Sequence, residues 1–156
     1  MNLRKSNKRS GTAAVELAVC LPFMLILISG IWEVGRMVSA EQVIANAARE
    51  GGREIAAGQT SLATCQQYVV NYMTMNGLTG VDTTMVTITN VTNAARNDPT
   101  ACNQLDQWHI AVVVPYSTVR WSTIAQITKT SSLSGSADWY SMKDSALTVS
   151  TTIPTN

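Results

Sequence analysis

The sequence predicts an α+β fold, made of a long N-terminal helix, a short second helix and a small antiparallel β-sheet. An apolar run near the N-terminus passes into a stretch with helical periodicity that ends before Gly58. A second, shorter apolar stripe follows Ser61. Beyond Gly77 the chain becomes rich in threonine and valine, and bulky residues alternate with smaller ones in a way that is typical of strands.

The first element is an apolar run of 20 residues from Ala13 to Trp32 that contains one charge, Glu16. As a helix it would be about 30 Å long, which matches the hydrocarbon core of a bilayer. Because basic residues stay on the cytoplasmic side, we expect the N-terminus inside and the chain beyond Arg36 outside. The prediction is a basic leader over 1–11, then a transmembrane helix over 12–35. The basic residues before the span are Arg4, Lys5, Lys8 and Arg9.

Glu16 follows Gly11 at a spacing that suggests proteolytic processing. A carboxylate near the start of a membrane-spanning helix is costly and is rarely accidental. Cleavage after Gly11 would make Thr12 the first residue of the mature chain. Its new α-amino group could then neutralise the Glu16 carboxylate, within one chain or between neighbouring chains.

Two other interpretations of the N-terminus remain open. An ordinary secretory signal has the same basic start and apolar centre, and cleavage after Ala40 would fit it, although Glu33 and Arg36 intervene. The second is a plain permanent anchor. Glu16 lies only about 6 Å along the helix from Thr12. Near the interface a charge costs less than the roughly 2.5–3.5 kcal/mol quoted for the bilayer centre.

Helical periodicity continues over 36–58, where Gly58 is the expected end. Gly51 and Gly52 are costly inside a helix, so we expect them to permit close approach to another backbone. Pro22 removes a backbone hydrogen bond inside the span and predicts a kink or local melting. The pairs Glu33/Arg36 and Glu50/Arg53 have a spacing that stabilises helices.

Residues 59–156 predict a small extracytoplasmic α+β domain. We expect a second helix from Ser61, its cap, to Asn76. The clearest strand covers Gln107–Tyr116, with Pro115 marking its end or a sheet edge. The other expectations are strands over Thr84–Thr92, Leu133–Met142 and Ala146–Ile153, a polar loop over Ala94–Asp106, and a mixed segment with Trp121 and Ile124 near the membrane face.

The charge balance does not favour nucleic-acid binding. The chain has 11 basic and 10 acidic residues. Four of the basic residues lie in the leader, so removal of 1–11 leaves seven basic against ten acidic residues, a net charge of −3. No basic patch is evident, and we expect no nucleic-acid partner.

The three cysteines divide by location. Cys20 lies within the span, where we expect it to pack. Cys65 and Cys102 are both predicted outside the cytoplasm, where a disulfide between them is possible and would stabilise the domain by about 4 kcal/mol on the chain-entropy model. Two free thiols are the alternative.

The stretch from Gly11 to Arg53 resembles the TadE-like family of tight-adherence (Flp-type) pilus systems. Four pieces carry the resemblance in order: Gly11-Thr12-Ala13-Ala14-Val15-Glu16-Leu17, Leu21-Pro22, Gly30-Ile31-Trp32-Glu33-Val34-Gly35-Arg36, and Ala47-Ala48-Arg49-Glu50-Gly51-Gly52-Arg53. The segments 112–117 and 133–137 are similar to a weaker C-terminal pattern of such proteins.

The resemblance implies a minor pseudopilin in the bacterial inner membrane, processed by a prepilin peptidase and used to assemble an adhesive pilus. Its partners would be the membrane, other pilin or pseudopilin subunits and the assembly machinery. Gly11 would be the last leader residue, Thr12 the first mature one and Glu16 the fifth-position glutamate.

An enzyme and a binding domain unrelated to pili are the two alternative classes of function. The chain has one histidine, His109, beside Trp108 on a predicted strand, and no nucleophile, metal-ligand or phosphate-loop pattern accompanies it. We therefore expect no enzyme activity, catalytic residue, metal or cofactor. An anchored or secreted binding domain unrelated to pili is the other alternative, for which Trp121 is the residue to test for exposure.

Overall fold

The computed structural model describes residues 9–119 and 131–143, with side chains from Gly11 onward. It has the predicted α+β fold, in which three antiparallel strands are arranged in the order β1-β2-β3. Single 3₁₀ turns occur at Thr83–Met85, Ala94–Arg96 and Pro99–Ala101. The main elements are α1 (Arg9–Ala57), α2 (Leu62–Met75), β1 (Val86–Asn90), β2 (Gln107–Pro115), α3 (Tyr116–Val119) and β3 (Ser132–Tyr140).

Helix α1 has 49 residues and is about 74 Å long. Its side chains from Gly11 to Ser39 are exposed, apart from partly buried Glu33 and Met37. From Ala40 onward the helix is packed against the rest of the chain. We call this packed part the head: α1 from Ala40, together with α2, α3 and the sheet.

The core of the head lies between α1, α2 and one face of the sheet. The bulky residues of β2 alternate as predicted, and Trp108, Ile110, Val112 and Val114 are fully buried. Ile44 and Ile55 of α1 are fully buried against them. At about 25 cal/mol per Å² of apolar surface removed from water, this layer is the main stabilising element of the head.

Gly51 and Gly52 do permit close approach, but to side chains and not to a backbone as expected. A Cβ atom at Gly52 would lie 1.9 Å from Cδ1 of Trp139, and one at Gly51 would lie 2.4 Å from Cγ2 of Val69. Gly135 of β3 is the glycine that meets a backbone, because its Cβ would lie 2.9 Å from Cα of Ala45. Glycines on both partners therefore set the distance between α1 and β3.

The predicted helix ends are confirmed. Gly58 follows the last residue of α1 with a φ of +63°, and its N–H donates to the carbonyl of Ile55. The side chain of Ser61 caps α2, and Asn76 is its C-terminal cap. Pro22 lies inside a continuous helix, so the expected local melting does not occur. Membrane-spanning helices tolerate proline in this way because the freed carbonyl can find other donors.

The three predicted strands that lie within the described residues are confirmed, but their ends differ from the predicted ones. The first strand begins at Val86 and not at Thr84, because Thr83–Met85 form a 3₁₀ turn capped by Asp82. The third runs over Ser132–Tyr140, after which Met142 donates its N–H to the carbonyl of Ala56. The expected strand over Ala146–Ile153 and the segment with Trp121 and Ile124 lie outside the described residues.

Candidate assembly surface on the N-terminal helix

The N-terminal half of α1 is an apolar surface without a covering layer of protein. Within the described residues it belongs to the one helix that is long and apolar enough to cross a membrane, and none of its apolar window is buried. This arrangement fits a single-pass membrane protein. We call residues 11–38 the exposed half of α1. Its large apolar side chains are Val15, Leu17, Val19, Leu21, Phe23, Met24, Leu25, Ile26, Leu27, Ile28, Ile31, Trp32, Val34 and Val38.

The three residues predicted for processing and assembly lie together near the start of this surface. The Gly11–Thr12 peptide bond lies near the N-terminal end of the part of α1 that the structure describes. Thr12 and Glu16 are four residues apart on one helix face, and both are exposed. Their roles stay predictions.

Two hydrogen bonds join α1 to α3 at the C-terminal end of the predicted span. The hydroxyl of Tyr116 donates to Oε1 of Glu33 at 2.5 Å, and Nη2 of Arg36 donates to the carbonyl of Val119 at 2.9 Å. We call these four residues the collar. Glu33 and Arg36 thus reach another element instead of forming the expected helix-stabilising pair. The collar places α3 at the end of the head that is nearest to the exposed half of α1.

The second predicted pair does form within α1. Nη2 of Arg53 lies 2.6 Å from Oε1 of Glu50, and the hydroxyl of Tyr68 on α2 donates to the same oxygen at 3.2 Å. The hydrogen bond from Arg53 is the main reason why the pKa of Glu50 is lowered. Because Arg53 is exposed and Glu50 is only half-buried, solvent screening keeps the contribution of this pair to stability small.

His109 lies on the sheet face opposite α1, paired across the strands with Asp138. Its Nδ1 atom is 2.7 Å from Oδ1 of Asp138, and the two residues are direct neighbours in the β2–β3 register. Both side chains are substantially exposed. Such an exposed cross-strand pair is a common way to stabilise a sheet.

The structure holds all three cysteines as free thiols, which is the alternative to the possible bridge between Cys65 and Cys102. Sγ of Cys65 contacts the hydroxyl of Thr60 at 3.1 Å. Sγ of Cys102 donates to the carbonyl of Pro99 at 2.9 Å. Burial raises the pKa of the Cys65 thiol, which keeps it protonated and unreactive at neutral pH. Cys20 is exposed on the exposed half of α1, and its packing within the span stays a prediction.

Comparison with known proteins gives one match. The family model described as TadE-like protein matches residues 11–53. This is the stretch on which the resemblance was based, so the resemblance is confirmed there. No curated protein and no solved structure matches the chain.

The match covers the exposed half of α1, the α1 residues of the collar and the two glycines that face α2 and β3. The collar partners on α3 were missed at the sequence level. A tyrosine directly after a strand-ending proline gave no signal that its hydroxyl would meet a glutamate 83 residues away.

Proposed function

We propose that this chain is a minor pilin-like subunit used to assemble a tight-adherence (Flp-type) pilus. In this proposal residues 12–35 hold it in the bacterial inner membrane, with the N-terminus in the cytoplasm and the head outside. A prepilin peptidase removes 1–11, and the exposed half of α1 then packs against the helices of other subunits. The function is structural, with no enzymatic step performed by this chain.

The observation that carries the proposal is the contrast in burial along α1. The helix continues for about 40 Å beyond the head with an apolar surface that nothing in the described chain covers. A bilayer covers such a surface before assembly, and a bundle of like helices covers it afterwards. The TadE-like match over the same residues supports the pilus context.

Glu16 supplies the proposed specificity. Apolar helices in lipid lack a hydrophobic driving force for association, so polar contacts and close packing decide which partners they choose. Once Gly11 is removed, the Thr12 ammonium and the Glu16 carboxylate have opposite charge and a four-residue spacing. A pair formed between chains fixes the axial offset of one subunit against the next.

The test is assembly by a Glu16→Gln variant of the full chain. This change keeps the size of the side chain and one acceptor oxygen but replaces the other oxygen by an NH2 donor and removes the charge. Membrane insertion should match wild type, whereas co-isolation with other pilus subunits and surface adhesion should fall by about tenfold or more, which corresponds to about 1.4 kcal/mol.

Glu41→Gln is the matched control, because Glu41 is an exposed carboxylate on the same helix outside the predicted span. It should behave as wild type in every measurement. Normal pili and normal co-isolation in the Glu16→Gln strain would overturn the proposed role of the charge.

A further inference from the structure

Within the described residues, strand β1 is one edge of the sheet, and edge strands normally offer unpaired backbone groups to any strand that approaches. In an antiparallel ladder alternate residues bond to the neighbouring strand, while those between them face the free edge. The N–H of Val91 donates to the carbonyl of Gln107 at 2.8 Å, which places the odd-numbered residues toward β2. Val86, Ile88 and Asn90 therefore turn their backbone groups to the free edge.

Most of these outward groups are already bonded. Nε2 of Gln66 donates to the carbonyl of Val86 at 3.0 Å, and the N–H of Val86 donates to the carbonyl of Thr83. These two bonds occupy both backbone groups of Val86, at the start of the strand.

Asn97 bonds to the free edge of β1 further along the strand. Its Nδ2 donates to the carbonyl of Ile88 at 3.4 Å, and its Oδ1 accepts from the N–H of Asn90 at 2.8 Å. A side-chain amide carries a donor and an acceptor, as a peptide group does. Asn97 thus takes the position that a peptide of an added strand would take.

We propose that Gln66 and Asn97, the edge guard, close β1 to strand addition by a second copy of this chain. The inference rests on the proposed function, because assembly would hold many copies at high local concentration. The guard leaves the exposed half of α1 as the surface through which copies associate. It prevents two heads from pairing their sheets edge to edge.

The test uses the full chain in detergent and the double variant Gln66→Leu/Asn97→Ala. Leucine keeps an apolar side chain of similar length at the half-buried position 66 but removes the amide. We expect head-to-head dimers at concentrations at least about tenfold below those at which wild type associates, because each unmade backbone hydrogen bond favours pairing. Sedimentation velocity measures the dimer, and hydrogen exchange should show slowed exchange at the Ile88 amide.

Gln67→Leu is the matched control. Gln67 is exposed on α2 and its amide donates to Asn71, away from β1, so the change adds the same apolar surface without opening the edge. It should sediment as wild type. If Gln67→Leu associates as strongly as the double variant, added apolar surface is the cause and the guard is refuted.

The single variant Asn97→Ala decides the question if the double variant does not fold, because Asn97 bonds the Ile88 carbonyl and the Asn90 N–H, next to the Ile88 amide. Dimers with a protected Ile88 amide support the guard, and wild-type sedimentation refutes it. Glu16→Gln leaves β1 untouched, so a loss of assembly in that variant with an intact edge separates the two proposals. The reverse result, normal assembly by Glu16→Gln with dimers of the edge variant, would overturn the role of Glu16 and keep the guard.

Discussion

The two halves of α1 are one continuous helix with opposite surroundings. The first half carries bulky apolar residues on every side, and nearly all of them are exposed. The second half carries a stripe of alanine, glycine and isoleucine, and its inward side is fully buried. A helix that is apolar all round suits lipid or a bundle of like helices, whereas a one-sided stripe suits a globular core. The change between them occurs at Glu33–Ala40, beside the collar.

The largest expected effect comes from truncating isoleucine in the two halves. Ile44→Ala, at a fully buried site, should lower the free energy of unfolding of the head by about 2–5 kcal/mol. Ile28→Ala, at a site that is 61% exposed, should change it by less than about 0.5 kcal/mol. Denaturant unfolding in detergent, followed by tryptophan fluorescence, measures both. Equal losses would show that the exposed half is part of the head's core.

Replacing a glycine by alanine in each half of α1 tests the same difference in burial between the two halves. Gly52→Ala forces a Cβ atom into the ring of Trp139, so we expect a loss of about 1–3 kcal/mol despite the better helix propensity of alanine. Gly30→Ala meets no atom within 4 Å and should not destabilise the head. Thermal unfolding of the two variants compares them directly. A Gly52→Ala head as stable as wild type would mean that Trp139 does not pack as described.

The collar should contribute less to the stability of the head than the core does. Tyr116→Phe removes one hydrogen bond to a carboxylate, which predicts a loss of about 1–2 kcal/mol and faster hydrogen exchange in α3. Tyr140→Phe, at a site that is 54% exposed, is the control and should exchange as wild type. Unchanged exchange in α3 of the Tyr116→Phe variant would contradict the collar.

The smallest effect is a dependence of head stability on pH. The Asp98 carboxylate caps a 3₁₀ turn by accepting from the N–H and hydroxyl of Thr100, and these bonds lower its pKa. The stabilisation is therefore complete above the usual aspartate pKa of about 3.9 and is lost as the pH falls through the lower folded value.

Asp98→Asn keeps an acceptor but cannot titrate. Its stability should fall less steeply between neutral and strongly acidic pH than that of wild type, as measured by unfolding at a series of pH values. Identical pH profiles would show that the cap contributes nothing through its charge.

Periodicity and the local signals Gly58, Ser61 and Pro115 were enough to place α1, α2 and the central strand. They did not predict α3, which begins at Tyr116, the residue predicted to end that strand. They could not place the start of β1, since Asp82 converts the preceding threonines into a 3₁₀ turn through its side chain. Nor could they find the partners of Glu33 and Arg36 or the edge guard. Those contacts join residues that are distant in sequence, and only the packed fold brings them together.

Gly51 and Gly52 show the same limit of what a single sequence can predict. Their cost inside a helix predicted a close approach, and the close approach is present. Which element approaches depends on the position of Trp139 on β3, and a single sequence contains no signal for that distance.

The most direct test of the account is the N-terminal residue of the native chain purified from its membrane, read by intact mass and terminal sequencing. We predict that the chain begins at Thr12 with a free amine, available to the Glu16 carboxylate. A chain that begins at Met1 would be a permanent anchor, and one that begins at Glu41 would be a secreted domain without the exposed half of α1. Either result would contradict assembly through a processed helix.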